Sequence, residues 1–131
     1  MLERYNPKAV APPFSRYSHG VEAPANARWL HVSGQVGVTP EGKVLDGAEA
    51  QIEQAWRNVL SVLEAAGMGP RDLVKVTTFL IDRADLPTAR AVRERMLQGA
   101  EPASTLPSGV TPTWPETCSQ RALAGASTPW L

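Results

Sequence analysis

The chain has 131 residues, 43% of them hydrophobic and 20% charged, and its thirteen basic residues balance thirteen acidic ones. That is the size of one domain, and the even charge gives no general attraction to nucleic acid or to an anionic membrane. No apolar run approaches the roughly 18 residues of a membrane helix, no signal-peptide h-region follows Met1, and the single cysteine, Cys118, excludes an internal disulfide. A cytoplasmic protein is the default expectation. Two histidines and one cysteine, far apart in sequence, argue against a dedicated metal site.

Residues 1–13 carry three of the twelve prolines and little periodicity, and read as a surface arm. Residues 14–21 suggest a short strand with Tyr17 and Val21 inward, and residues 22–26 a turn. Over 28–36, Leu30, Val32, Gly34 and Val36 alternate with Trp29, His31, Ser33 and Gln35, which predicts a second strand. Gly37 and Thr39-Pro40-Glu41-Gly42 mark a loop or hairpin tip, with a brief return at residues 43–45.

The clearest signal lies in residues 51–82. Ile52, Ala55, Trp56, Val59, Val62, Leu63 and Ala66 form the stripe of an amphipathic helix over 51–66. Gly67 suits a C-terminal cap, and Gly69-Pro70 stops continuation. Residues 73–81 are rich in β-branched types and predict a strand. Val74, Val76, Thr78 and Leu80 should pack under the helix. Lys75, Thr77, Phe79 and Ile81 should face the other way, and that set is apolar enough to suggest a further protein contact, hence an oligomer.

Asp85 is a good N-cap for a second helix over 86–97, with Pro87 tolerated in its first turn and Leu86, Ala89, Val92, Met96 and Leu97 as its stripe. Gln98-Gly99 should end it, and residues 103–106 could start another strand. From Pro107 onward the pattern fails, with Pro107, Pro112 and Pro115 breaking any long ladder. The stretch 107–131 is expected to be an atypical tail that pairs poorly, as a shift of reading frame after Leu106 would produce. The order of elements predicts one domain, residues 1–131, of two-layer α+β architecture: a mixed sheet with two helices on one face and right-handed crossovers.

These residues together resemble the Rid family, also called YjgF-like or L-PSP. Tyr17-Ser18-His19-Gly20-Val21 is similar to its Y-S-x-A/G-V, and Val32-Ser33-Gly34-Gln35-Val36 to its S-G-Q-I/V. The run from Leu73 to Asp82 is similar to D/L-V-V-K-x-T-x-F-L-x-D, and Glu101-Pro102-Ala103-Ser104-Thr105 to its P-A-R-S segment. Each motif alone is weak; their order and spacing over about residues 14–105 are specific. The resemblance implies a chorismate-mutase-like fold, a homotrimer with clefts between subunits, and no cofactor. It implies as ligand a small carboxylate or imine: deaminase members hydrolyse 2-imino or 2-enamino acids to 2-oxo acids and ammonia. An arginine in P-A-R-S grips the carboxylate as a bidentate pair, and a glutamate on the last strand positions water.

The chain departs at both places. Ser104 stands where the family has arginine, and no glutamate matches on the last strand, where Ser119 and Arg121 align instead. An asparagine lining the family's cleft aligns with Arg90. The substrate-binding candidates are therefore Tyr17, Ser33, Arg90 and Ser104, with no catalytic residue assignable and no metal.

Each candidate also has a plainer reading. Tyr17 could be a core aromatic with a wet hydroxyl, and Ser33 part of a half-buried polar strand face. Arg90 could be a surface side chain paired with Glu94 at i+4. Ser104 could be an ordinary strand residue, and neither His19 nor His31 has a carboxylate placed beside it by sequence. Three functions follow: imine hydrolysis, small-metabolite or partner binding without turnover, and an endoribonuclease or translation inhibitor, the last disfavoured by the charge balance.

Overall fold

The structure is a computed structural model and describes residues 1–106 and a strand at 122–125. Eight elements follow in order: β1 (Glu3–Tyr5), β2 (Gly20–Glu22), β3 (Gln35–Val36), α1 (Ala48–Ala65), β4 (Lys75–Leu80), α2 (Leu86–Leu97), β5 (Ala103–Thr105) and β6 (Ala122–Gly125). The four-stranded sheet has the order β3-β6-β4-β5, with β6 antiparallel to both neighbours and β4 parallel to β5. β1 and β2 form a separate antiparallel pair. The result is an α+β fold.

Helix α1 is held to the sheet by its stripe. Ile52, Ala55, Trp56, Val59 and Leu63 are buried, while Val62, at the stripe's margin, is exposed. Each fully buried large apolar side chain contributes about 1.5–3 kcal/mol of burial energy. The C-terminus closes with Met68 N–H donating to the Leu63 carbonyl (2.8 Å) and Gly67 N–H to Glu64 (2.8 Å). This is a Schellman closure, and Gly67 supplies the left-handed backbone it needs, at φ 69°.

Strand β4 alternates as the sequence requires. Val76, Thr78 and Leu80 are buried under the helices, whereas Phe79 on the other face is 37% exposed. Helix α2 spans the expected residues, and Ala89, Val92 and Leu97 complete the core with Leu73 and Ala100. Its start differs in detail. A short 3-10 turn, Arg83–Asp85, precedes it, and the side chain that caps is Asp82, accepting from Ala84 N–H at 2.8 Å. Asp85 occupies the N-cap position without a side-chain hydrogen bond.

Two expectations are corrected. Of the strand expected over 28–36, only Gln35–Val36 joins the ladder; β6 pairs with those two residues, and Trp29, Leu30, His31 and Ser33 are exposed, while Val32 alone enters the core. Residues 3–5 of the N-terminal arm, all exposed, pair with β2. There the Tyr5 hydroxyl lies within reach of both Glu3 (2.8 Å) and Glu22 (2.5 Å), which face each other across the pair and push its pKa up. Poor pairing does not hold for residues 122–125, which form a central strand. The rest of 107–131, with Cys118, Ser119 and Arg121, lies outside the described residues. The hairpin tip at 39–42 is present, closed by a Val38–Val44 bridge and a Thr39 N–H bond to Lys43 O of 2.9 Å.

Candidate functional site

The Tyr17 motif and the Ser104 motif, far apart in sequence, are stitched together in space. Ser18 N–H donates to the Pro102 carbonyl (3.3 Å), Ser18 Oγ donates to the Glu101 carbonyl (2.8 Å), and Ser18 bridges Ala103 in parallel. Ser18 is buried, so these bonds fix the segment carrying Tyr17 along the free edge of β5. Tyr17 is half-buried and meets the His19 ring edge-on, with centroids 5.6 Å apart. His19 Nε2 lies 2.8 Å from the Ala11 carbonyl.

Beneath this edge lies a residue the sequence reading passed over. Arg93 of α2 is 5% exposed. Its Nη1 donates to Ser104 Oγ (3.0 Å) and its Nη2 to Ser15 Oγ (2.9 Å), while its buried Nε has no hydrogen-bond partner among the described residues. No carboxylate forms an ion pair with it among those residues. Burial pushes its pKa down, opposed by Glu94, reinforced by Arg90 and opposed again by Tyr17. An arginine stays protonated under such pressure, so the molecule holds a desolvated cation whose recorded partners are two neutral hydroxyls.

Of the four expected binding residues, Tyr17, Arg90 and Ser104 gather about this guanidinium. Ser104 touches it, and Tyr17 and Arg90 lie within its electrostatic reach. Arg90 is exposed and does not pair with Glu94. Ser33 is exposed on the extended segment before β3, where its carbonyl accepts from Gln35 Nε2 at 3.2 Å; it shares no hydrogen bond with the other three. A signal for Arg93 was present in the sequence. Ala89, Val92, Arg93, Met96 and Leu97 fall at the i, i+3, i+4, i+7 and i+8 positions of one helix face, so a charge sits in the middle of the buried stripe.

A cavity of about 300 Å³ opens elsewhere, lined by Trp29, Leu30, Val32, Leu63, Leu73 and Lys75 among others. It is mostly apolar and does not include Tyr17, Arg93 or Ser104. Lys75 at its rim donates to Thr105 Oγ1 on β5. Among the described residues no three of His, Cys, Asp and Glu cluster as metal ligands.

The model of the family described as endoribonuclease L-PSP matches residues 8–110. The chain belongs to this family. A RutC family protein of Aquifex aeolicus is 40% identical over 83 residues, covering 63% of each chain. The 2-iminobutanoate/2-iminopropanoate deaminase of Mus musculus is 33% identical over 99 residues, 74% of this chain and 68% of that protein. The matches thus span about two thirds of these relatives' lengths. Among solved structures, the Rid-family protein YyfB of Yersinia pestis superposes with a TM-score of 0.81 at 30% identity, covering 95% of this chain and 96% of its own. The YjgF-like fold inferred from the motifs is therefore the fold of this Rid-family chain. No helix among the described residues is long and apolar enough to cross a membrane.

Proposed function

We propose that this Rid-family protein binds small 2-imino and 2-oxo acids at the edge of β5 and hydrolyses the imines slowly. The observation that carries the reading is the Ser18 stitch, which brings Tyr17 beside the segment 101–105. Resemblance to the mouse 2-iminobutanoate/2-iminopropanoate deaminase supports the substrate class. In the reaction, water adds across the C=N bond of the imine. Its oxygen bonds to carbon and a proton goes to nitrogen. The C–N bond of the resulting carbinolamine then breaks, releasing ammonia and leaving the 2-oxo acid. The described residues supply binding and orientation; Tyr17 forms a wall, and Arg90 and Ser104 line the approach.

The exposed Phe79 face of β4 supports a homotrimer, which would bring a neighbouring subunit against each site. Light scattering is expected to give three times the single-chain mass, and a single-chain mass at micromolar concentration refutes it.

The test of activity is ammonia release from imines generated in situ by an amino-acid oxidase, beside a deaminase control. Slow but saturable release, well below the control, is expected. A second reading, binding without turnover, is favoured by Ser104 standing at the family's arginine position. It holds if 2-oxo acids raise the melting temperature while no ammonia is released above background. Neither release nor a shift overturns both readings.

A further inference from the structure

Arg93 and Arg95 are two residues apart on α2, yet their surroundings are opposite. Arg95 is exposed and paired to Glu53 (2.7 Å) and Glu49 (3.5 Å). Arg93 is buried, and its partners are hydroxyls. A charge removed from water is costly unless an opposite charge or several oriented dipoles answer it. Two serine oxygens answer it only in part, and Nε is answered by nothing among the described residues.

The hydrogen-bond directions carry the argument further. A guanidinium has donors only, so each serine oxygen must accept from it. Each hydroxyl then keeps its own proton for another acceptor. Ser15 and Ser104 are both half-buried, so each keeps part of its surface accessible. The guanidinium polarises both hydroxyls, and the two O–H groups become a pair of donors backed by a positive charge. The acceptor such a pair fits is a small anion with two oxygens, a carboxylate. Arg90 and Tyr17 lie within electrostatic reach of the same guanidinium.

We propose that Ser15 and Ser104 form a carboxylate-binding pair whose charge is supplied from below by Arg93, a positioning residue that does not itself touch the ligand. The site rests on the proposed function for its ligand class and adds to it Ser15 and Arg93. The guanidinium comes from the helix layer instead of from the strand, and it reaches the ligand through two hydroxyls. Direct bidentate gripping is replaced by a relay, so binding depends on both serines and on the planar fork that holds them.

The experiment titrates 2-oxobutanoate, its uncharged amide, chloride and inorganic phosphate into the full-length protein and its variants by calorimetry. The wild type is expected to bind the 2-oxo acid and not the amide. Ser104→Ala and Ser15→Ala should each weaken binding on the order of tenfold, the loss of one charge-assisted hydrogen bond. Ser104→Thr, which keeps the hydroxyl, should bind like the wild type. Arg93→Lys keeps a charge but not the fork, and should weaken binding as much as either serine change. Circular dichroism establishes that each variant is folded at the assay temperature. Should Arg93→Lys fail to fold, the serine and threonine variants decide alone. Binding unchanged in both alanine variants overturns the proposal, as does equal binding of the amide or tighter binding of chloride or phosphate. Ammonia release separates the two readings. Turnover with an unchanged KM in the alanine variants leaves imine hydrolysis standing and removes the serine relay. Serine-dependent binding without turnover does the reverse.

Discussion

Each helix sends polar side chains inward, and the two junctions they make differ in kind. At the α1–β3 junction, Asn58 Nδ2 donates to the carbonyls of Val36 (3.1 Å) and Val38 (2.9 Å), its Oδ1 accepts from Gln54 (2.8 Å), and Gln51 Nε2 donates to Leu45 O (2.7 Å). These groups are neutral and matched. At the α2–β5 junction the buried group is a cation, its oxygen partners are uncharged, and one nitrogen is unmatched among the described residues. A matched junction specifies where a loop lies and nothing more. An unmatched one keeps a demand for a further partner, which is what a binding site is before its ligand arrives.

The sharpest blow to the matched junction is steric. A Cβ on Gly37 would stand 2.5 Å from both Cα and Cβ of Gln51, the former being backbone that cannot swing aside. Gly37→Ala is therefore expected to cost about 3 kcal/mol in urea unfolding, with α1 forced off β3. Next comes Asn58→Ala, which leaves the Val38 carbonyl unanswered and takes from Val36 O one of its two donors, and should cost about 2 kcal/mol. Neither substitution should alter 2-oxo acid affinity in the folded protein; a change in affinity would mean that the two junctions are coupled.

The unmatched junction should respond in the opposite sense. Arg93→Met removes a desolvated charge and keeps most of the buried stem. The ligand-free protein is expected to unfold at unchanged or higher urea concentration, by up to about 1 kcal/mol, while 2-oxo acid binding disappears. A clear loss of stability would place Arg93 among structural groups, paired by residues beyond those described. The smallest effect belongs to the exposed network. Arg57 and then Arg95 hold the Glu53 carboxyl below its usual pKa. A depressed folded pKa gives stability that is present above the unfolded pKa and lost as pH falls through the folded one. Glu53→Gln should flatten part of the acid decline in stability by slightly lowering the midpoint at neutral pH, an exposed pair being worth little, and leave it unchanged at acid pH.

The same contrast sorts what could be read from the sequence. Helix α2 and the buried face of β4 were legible because periodicity and burial share one cause, the covering of Val76, Leu80, Ala89 and Val92. The strand over 28–36 was over-read. Alternation identifies an extended chain with one inward residue, Val32, but cannot supply the neighbour that turns extension into a ladder. Strand β1 had no pattern to find, since all three of its residues are exposed. Tyr17 and Ser104 were marked by motif, and Arg90 by its alignment with an asparagine that lines the family's cleft. Arg93 was passed over because an arginine inside an apolar stripe looks like an interruption. In the folded chain it is Arg93, not Arg90, that points inward.

Strand β6 sits between β3 and β4 although both are made well before it. During synthesis, α1, β4, α2 and β5 therefore leave the ribosome before the strand that joins β3 to the rest emerges. Until Ala122–Gly125 emerges, β3 and one side of β4 expose unpaired backbone, and their pairing must wait for a contact that spans most of the chain. A nascent or truncated chain stopping short of residue 122 would carry both helices and an open gap in its sheet, the kind of surface to which chaperones and other copies of the chain bind.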